Sequence, residues 1–207
     1  MNWTTKRRRL QMNDGEDDST KIISIDKQNQ DNCISGNKIY FYQDVTRESI
    51  LNLNRQIDEI SKQVKIIQFT FNLSEPPPIE IHICSDGGEI YAGMAAADKI
   101  INNTIPIHTY CEGIVASSAT LLSVVGHKRF ITKNSHMLLH QISGNFWGNF
   151  MQLKDETLNF ELIMKTIKTV YLKKTKFKEN KLNELLKHDL CLDSETCLNY
   201  GLVNSII

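Results

Sequence analysis

An α/β fold built from repeated strand–helix–strand units is predicted for residues 38–207, on three observations. Isoleucine-rich runs with strand character, Ile79-Glu-Ile-His-Ile-Cys84 and residues 107–111, are each followed by glycine, at Gly87-Gly88 and at Gly113. A stretch with helical spacing follows each glycine, from about Tyr91 to Asn102 and again after Ser117. Strand, glycine turn and helix in that order imply right-handed crossovers and a largely parallel sheet covered by helices, with ligands collecting where strands end and helices begin.

Composition limits the alternatives. A chain of 207 residues, 41% of them hydrophobic, can bury one sizeable core and carry a tail. Lys plus Arg (24) balance Asp plus Glu (24), so no general attraction to nucleic acid or to an anionic membrane is expected. Apolar runs are interrupted by Lys, Asn or Asp before they reach the length of a membrane span. The basic run Lys6-Arg-Arg-Arg9 leads into polar residues rather than a signal-peptide core. Five scattered cysteines, Cys33, Cys84, Cys111, Cys191 and Cys197, contain no CxxC pair, and reduced thiols in a cytoplasmic protein are the expectation.

Residues 1–37 are polar, with a basic run followed by Asn13-Asp-Gly-Glu-Asp-Asp18, and are expected to form a mobile arm that buries too little apolar surface to order itself. Lys38-Ile-Tyr-Phe-Tyr42 reads as the first strand. Ile50, Leu53, Ile57, Ile60 and Val64 recur at steps of three and four and form one stripe of an amphipathic helix. Ile66 to Phe71 either continues that helix or forms a strand, and Pro76-Pro-Pro78 ends either. Farther on, Phe160, Ile163, Met164, Ile167, Val170 and Tyr171 give a second helical stripe, suited equally to a core or to an interface.

Chemistry is concentrated around Gly113-Ile-Val-Ala-Ser-Ser118. Small residues followed by the apolar run Leu121, Leu122, Val124 and Val125 present a hydroxyl at the start of a helix, where unpaired N–H groups favour developing negative charge. Gly87 and Gly88 let a substrate backbone approach closely, and the N–H groups of Gly88 and Ser118 can together receive an oxyanion formed by attack of Ser117. The glycine turn carries neither GxGxxG nor a phosphate-loop Lys-Ser/Thr, which disfavours nucleotide binding. Of six histidines, His82 and His108 sit in strands as packing residues, and His136 and His140 flank Met-Leu-Leu without the glutamate of a zincin, so no metal site is expected. His140 precedes Gln141 and a glycine-bearing turn, a strand-end position that suits a general base.

In combination these residues resemble the ClpP family, the proteolytic subunits of Clp proteases, from about Lys38 to the C-terminus. Ser85-Asp-Gly-Gly88 is similar to the family's SPGG turn and Gly113-Ile-Val-Ala-Ser117 to its GxAAS nucleophile motif. Gly126-His-Lys-Arg129, Asn134-Ser135, Met137-Leu-Leu-His-Gln141, Gly144, Gly148 and Tyr200-Gly-Leu-Val203 continue the match. The resemblance implies a ClpP/crotonase-like fold with a protruding handle of a strand and a long helix. It implies Ser117 as nucleophile, His140 as base and Asp189 as the orienting acid, with Asp193 the competing candidate. It further implies an oxyanion hole from the Gly88 and Ser118 amides, and substrate contacts at Gly87 and Gly144. No cofactor is expected in this chain, ATP entering only through a partner AAA+ unfoldase. Heptameric rings, possible stacking into a tetradecamer, and unfolded polypeptide substrates are the implied assembly and targets. Asp86, Val115, Ser118 and Asn204 depart from the family pattern and Ile66–Pro78 resembles an insertion, while the serine-to-arginine segment is shorter than in bacterial housekeeping members, a shortening that resembles phage and viral relatives. A viral self-processing protease in host cytoplasm, a ring subunit with an unaligned triad, and a crotonase-type acyl-CoA enzyme are the alternatives.

Overall fold

The structure is a computed structural model and describes residues 32–207. Most of the expected arm, residues 1–31, lies outside the described residues. Its last part does not: Asn32–Ser35 form strand β1, antiparallel to β2 (Lys38–Phe41), so the sheet begins earlier than the boundary drawn at Lys38. Gly36, at φ 66°, makes the tight turn between them.

Helix α1 (Arg47–Thr70) starts at a reciprocal cap, the Thr46 hydroxyl accepting from the Ser49 N–H while the Ser49 hydroxyl accepts from the Thr46 N–H. Its stripe is buried as the spacing predicts: Ile50, Leu53, Ile57, Ile60 and Val64 all face the core. Burial of each such side chain is worth about 1.5–3 kcal/mol, which makes this face the main tie between α1 and the sheet. The helical reading of Ile66–Phe71 holds to Thr70, although no α1 residue after Val64 is buried and Ile66, Phe69 and Phe71 stand exposed.

After the prolines come β3 (Ile79–Ser85), α2 (Ile90–Asn102) and β4 (Ile107–Ala116). Then follow α3 (Ala119–Val124), β5 (Lys128–Ile131) and β6 (His136–Leu138). The chain ends with α4 (Phe150–Lys174), α5 (Glu179–Leu185), β7 (Cys191–Leu192), α6 (Ser194–Asn199) and β8 (Ser205–Ile206). Among the described residues the strand order is β1-β2-β3-β4-β5-β8, with β6 paired to β4 and β7. All pairs except β1–β2 and β6–β7 are parallel, as the strand–helix alternation requires.

Gly113 is not a turn between strand and helix as expected. It is a bulge inside one long strand: Ile83 faces Cys111 while Ser85 faces Val115, and Gly113 takes φ 64° between them. The bulge bends β4 so that its first half pairs with β5 and its second half, Ile114–Ala116, with β6. That change of partner brings the end of β4 beside the end of β6, where Ser117 and His140 emerge.

Ile39, Phe41, Ile81, Ile83 and Cys111 join the apolar faces of the helices in one core. The opposite sheet face carries a cross-strand stack of Tyr40, His82, Tyr110 and Phe130, with ring centroids 4.6–4.8 Å apart. His82 is a packing residue there, its Nδ1 2.7 Å from Glu112 Oε1. Asn204, a departure from the family ending, accepts from the Arg129 N–H at 2.9 Å, and Arg129 also donates to the carbonyls of Val124 and Lys174. The expected handle has its long helix, α4, but residues 141–149 form no strand. No helix among the described residues is long and apolar enough to cross a membrane.

Thiol reactivity tests this packing. Burial pushes the Cys111 and Cys197 thiols up to about 12, whereas Cys191 is exposed. Mild alkylation followed by peptide mapping is expected to modify Cys191 first, and Cys111 and Cys197 only on unfolding. Reaction of Cys111 at the rate of Cys191 would contradict the packing of β4 against α3.

Candidate active site

Ser117 lies between β4 and α3 with φ 52°, a left-handed conformation that costs a non-glycine residue about 1–3 kcal/mol. Hydrogen bonds on both sides hold it there. Its N–H donates to the Leu138 carbonyl at 2.9 Å, and its carbonyl accepts from the Thr120 N–H at 3.0 Å and the Thr120 hydroxyl at 2.5 Å. The turn lifts the Ser117 side chain out of the sheet to a half-buried position, while Ser118 beside it is buried.

Ser117 Oγ is 2.8 Å from His140 Nε2, and His140 Nδ1 is 3.0 Å from Asp189 Oδ1. With Nδ1 protonated toward the carboxylate, the Nε2 lone pair faces the serine hydroxyl, the arrangement a general base needs. His140 follows β6 and is held by its neighbour, the Gln141 N–H donating to the Leu186 carbonyl at 2.8 Å. Asp189 reaches it from the turn after α5, with 78% of its side chain open to solvent. Asp193 is engaged elsewhere. It caps α6, accepting from the Thr196 N–H at 2.8 Å, and hydrogen bonding from Thr196, first through its side chain and then through that N–H, holds its carboxyl below the usual range.

The glycine pair is fixed by close approach. A side chain at Gly87 (φ 97°) would place Cβ 2.6 Å from Ser117 Cβ and 2.7 Å from the Ala116 carbonyl. At Gly88 (φ 143°) it would collide with the carbonyl of Val45. A backbone bridge to Val45 uses the Gly87 carbonyl and the Glu89 N–H, each at 2.7 Å, and leaves the Gly88 N–H out of the ladder. Val45 was not singled out in the sequence, because it acts through its backbone and no side-chain pattern reports that. Gly88, Ser117, Ser118 and His140 open on one cleft of about 510 Å³ whose apolar wall includes Leu121, Ile163 and Tyr171. Gly144 lies on its rim, where a Cβ would come 3.1 Å from the Phe160 ring.

All seven site residues read from the sequence thus fall in one region: Gly88, Ser117, Ser118, His140 and Gly144 line the cleft, Gly87 packs against Ser117, and Asp189 lies behind His140. No group of three or more His, Cys, Asp or Glu suited to a metal occurs among the described residues.

Residues 34–207 match the family described as Clp protease. The chain belongs to the Clp protease family. A relative from Deinococcus radiodurans, an "ATP-dependent Clp protease proteolytic subunit", is 31% identical over 131 residues. That alignment covers 62% of this chain and 64% of the relative, just under two thirds of its length. An "ATP-dependent Clp protease proteolytic subunit 2" from Chlamydia trachomatis is 29% identical over 170 residues, 80% of this chain and 84% of that one. Among solved structures, a ClpP1 mutant from Listeria monocytogenes superposes with a TM-score of 0.70 at 21% identity, covering 83% of this chain and 91% of its own. That likeness establishes a shared fold, the mixed α/β architecture of this family.

Proposed function

We propose that this family member is a serine endopeptidase that hydrolyses unfolded polypeptides by acyl transfer. The observation that carries the reading is the continuous chain from Ser117 Oγ through His140 to Asp189, at 2.8 and 3.0 Å. His140 takes the Ser117 proton as Oγ attacks the peptide carbonyl, and Asp189 orients the imidazole and stabilises the imidazolium. The Gly88 and Ser118 N–H groups receive the oxyanion, His140 returns its proton to the leaving amine, and water releases the acyl-enzyme.

Partners and assembly follow from the relatives' names and from the surface. Both named relatives are proteolytic subunits of ATP-dependent proteases, which supports supply of substrate by an AAA+ unfoldase. Trp147, Phe150, Met151, Leu158 and Leu162 project from α4 and the segment before it, a surface suited to burial between subunits of a heptameric ring or between stacked rings. ATP has no role within this chain in that reading.

Fluorophosphonate labelling of the full-length protein, read by intact mass, tests it. One adduct is expected on the wild type and on Ser118→Ala, and none on Ser117→Ala. A wild type that takes no adduct as an assembled oligomer would remove the peptidase reading.

A further inference from the structure

The geometry points to Thr120 as the positioning residue for the Ser118 N–H of the oxyanion hole, with Tyr171 of α4 as its buried anchor. The inference rests on the peptidase reading above and extends it to two residues outside the triad.

Three contacts carry it. The Thr120 hydroxyl donates to the Ser117 carbonyl at 2.5 Å. The same oxygen is 2.6 Å from the Tyr171 hydroxyl. Thr120 has one hydroxyl proton and it is committed to Ser117, so Tyr171 must be the donor in the second bond. The result is a directed relay, Tyr171 O–H to Thr120 Oγ1, Thr120 O–H to the Ser117 carbonyl. Each donor polarises the next, and both side chains are buried at 0% and 3% exposure. Burial pushes the Tyr171 phenol up to about 12, so it remains a donor throughout the neutral range.

Peptide planarity turns this relay into a catalytic requirement. The Ser117 carbonyl and the Ser118 N–H belong to one trans peptide, and in a trans peptide the two point in opposite directions. A carbonyl drawn toward Thr120 and Tyr171 therefore turns the Ser118 N–H away from them. Without the hydroxyl, only the Thr120 N–H at 3.0 Å would restrain that carbonyl, at a residue whose φ of 52° is already unfavourable. Tyr171 also forms part of the apolar wall of the substrate cleft. The side chain that anchors the relay thus also lines the cleft, and α4, which carries it, is joined to the Ser117–Ser118 peptide through two hydroxyls.

The test uses Thr120→Val, which keeps the shape and removes the hydroxyl, Thr120→Ser, which keeps the hydroxyl, and Tyr171→Phe. Removing an oxyanion donor outright costs about 10²–10³ in kcat, so misaiming one is expected to cost about tenfold in Thr120→Val, with KM nearly unchanged. Affinity for a peptide aldehyde, whose hemiacetal oxygen needs the same donor, is expected to fall in parallel. Thr120→Ser should recover most of both, and Tyr171→Phe should lose less than Thr120→Val. Crystal structures should show the Ser117–Ser118 peptide rotated in Thr120→Val and in place in Thr120→Ser. An unrotated peptide in Thr120→Val overturns the inference. So does wild-type kcat in that variant, or loss of kcat, KM and melting temperature together without rescue by serine. A wild type inert to fluorophosphonate would instead remove the peptidase reading, and peptide orientation in the crystals would still decide the role of Thr120.

Discussion

Ser117→Ala is expected to lower kcat/KM for peptide hydrolysis by roughly 10⁴-fold or more, with KM little changed. The alanine variant keeps the cleft and the two backbone donors and loses only the atom that forms the acyl bond. Its fold should survive, because Ser117 is held by its own backbone N–H and carbonyl, which alanine retains. His140→Ala should cost a similar factor, since Ser117 Oγ has no other base within hydrogen-bond reach among the described residues. Asp189→Asn should cost less, roughly 10²–10⁴, because with most of its side chain in water its charge is screened and solvent can take over part of its role. Peptidase assays on purified oligomers check all three. Retained activity in Ser117→Ala together with its loss in Ser118→Ala would transfer the nucleophile to the neighbouring serine.

Gly88→Ala is expected to reduce kcat by roughly 10²–10³ and to lower the melting temperature as well. Two effects combine at this position. Its φ of 143° lies where an L side chain is strained, and the new methyl would meet the Val45 carbonyl, a backbone atom between β2 and α1 that cannot swing aside. The strand end must then move away from Val45, carrying the Gly88 N–H off the oxyanion position. Gly144→Ala makes an informative companion. Its methyl would meet only the tip of the Phe160 ring, which can rotate, so a much smaller loss is expected and one mainly in KM. Wild-type kcat in Gly88→Ala would remove that amide from the oxyanion hole.

Most of the architecture was legible because it was written in side-chain spacing. The α1 stripe from Ile50 to Val64 and the isoleucine alternation of β3 each report a buried face directly. Gly113 misled for a physical reason: positive φ serves a bulge as well as a turn, and only the pairing of Ser85 with Val115 distinguishes them. The strand Asn32–Ser35 was hidden inside a polar segment, since it is held by its ladder to β2 rather than by a hydrophobic run. Within the site, Ser117 and His140 were marked by their positions at a helix start and a strand end, whereas Asp189 was reached only through resemblance to a family. Val45 and Thr120 were missed because one acts through its backbone and the other through a carbonyl three residues away.

Helix α4 is 25 residues long, yet its buried residues are Ile163, Ile167 and Tyr171, all in its second half. The first half is held to the protein mainly by its own ladder and by the cap at Asn149, so its amides should exchange with solvent at a low opening free energy. Glu156, Asn159 and Phe160, which face the substrate cleft, sit on that loosely held stretch. One wall of the cleft is therefore expected to sample a range of widths rather than present a fixed surface. A peptide that orders it loses part of its contact energy to conformational entropy, and neighbouring subunits that immobilise α4 beforehand would raise affinity without contributing a single contact to the substrate.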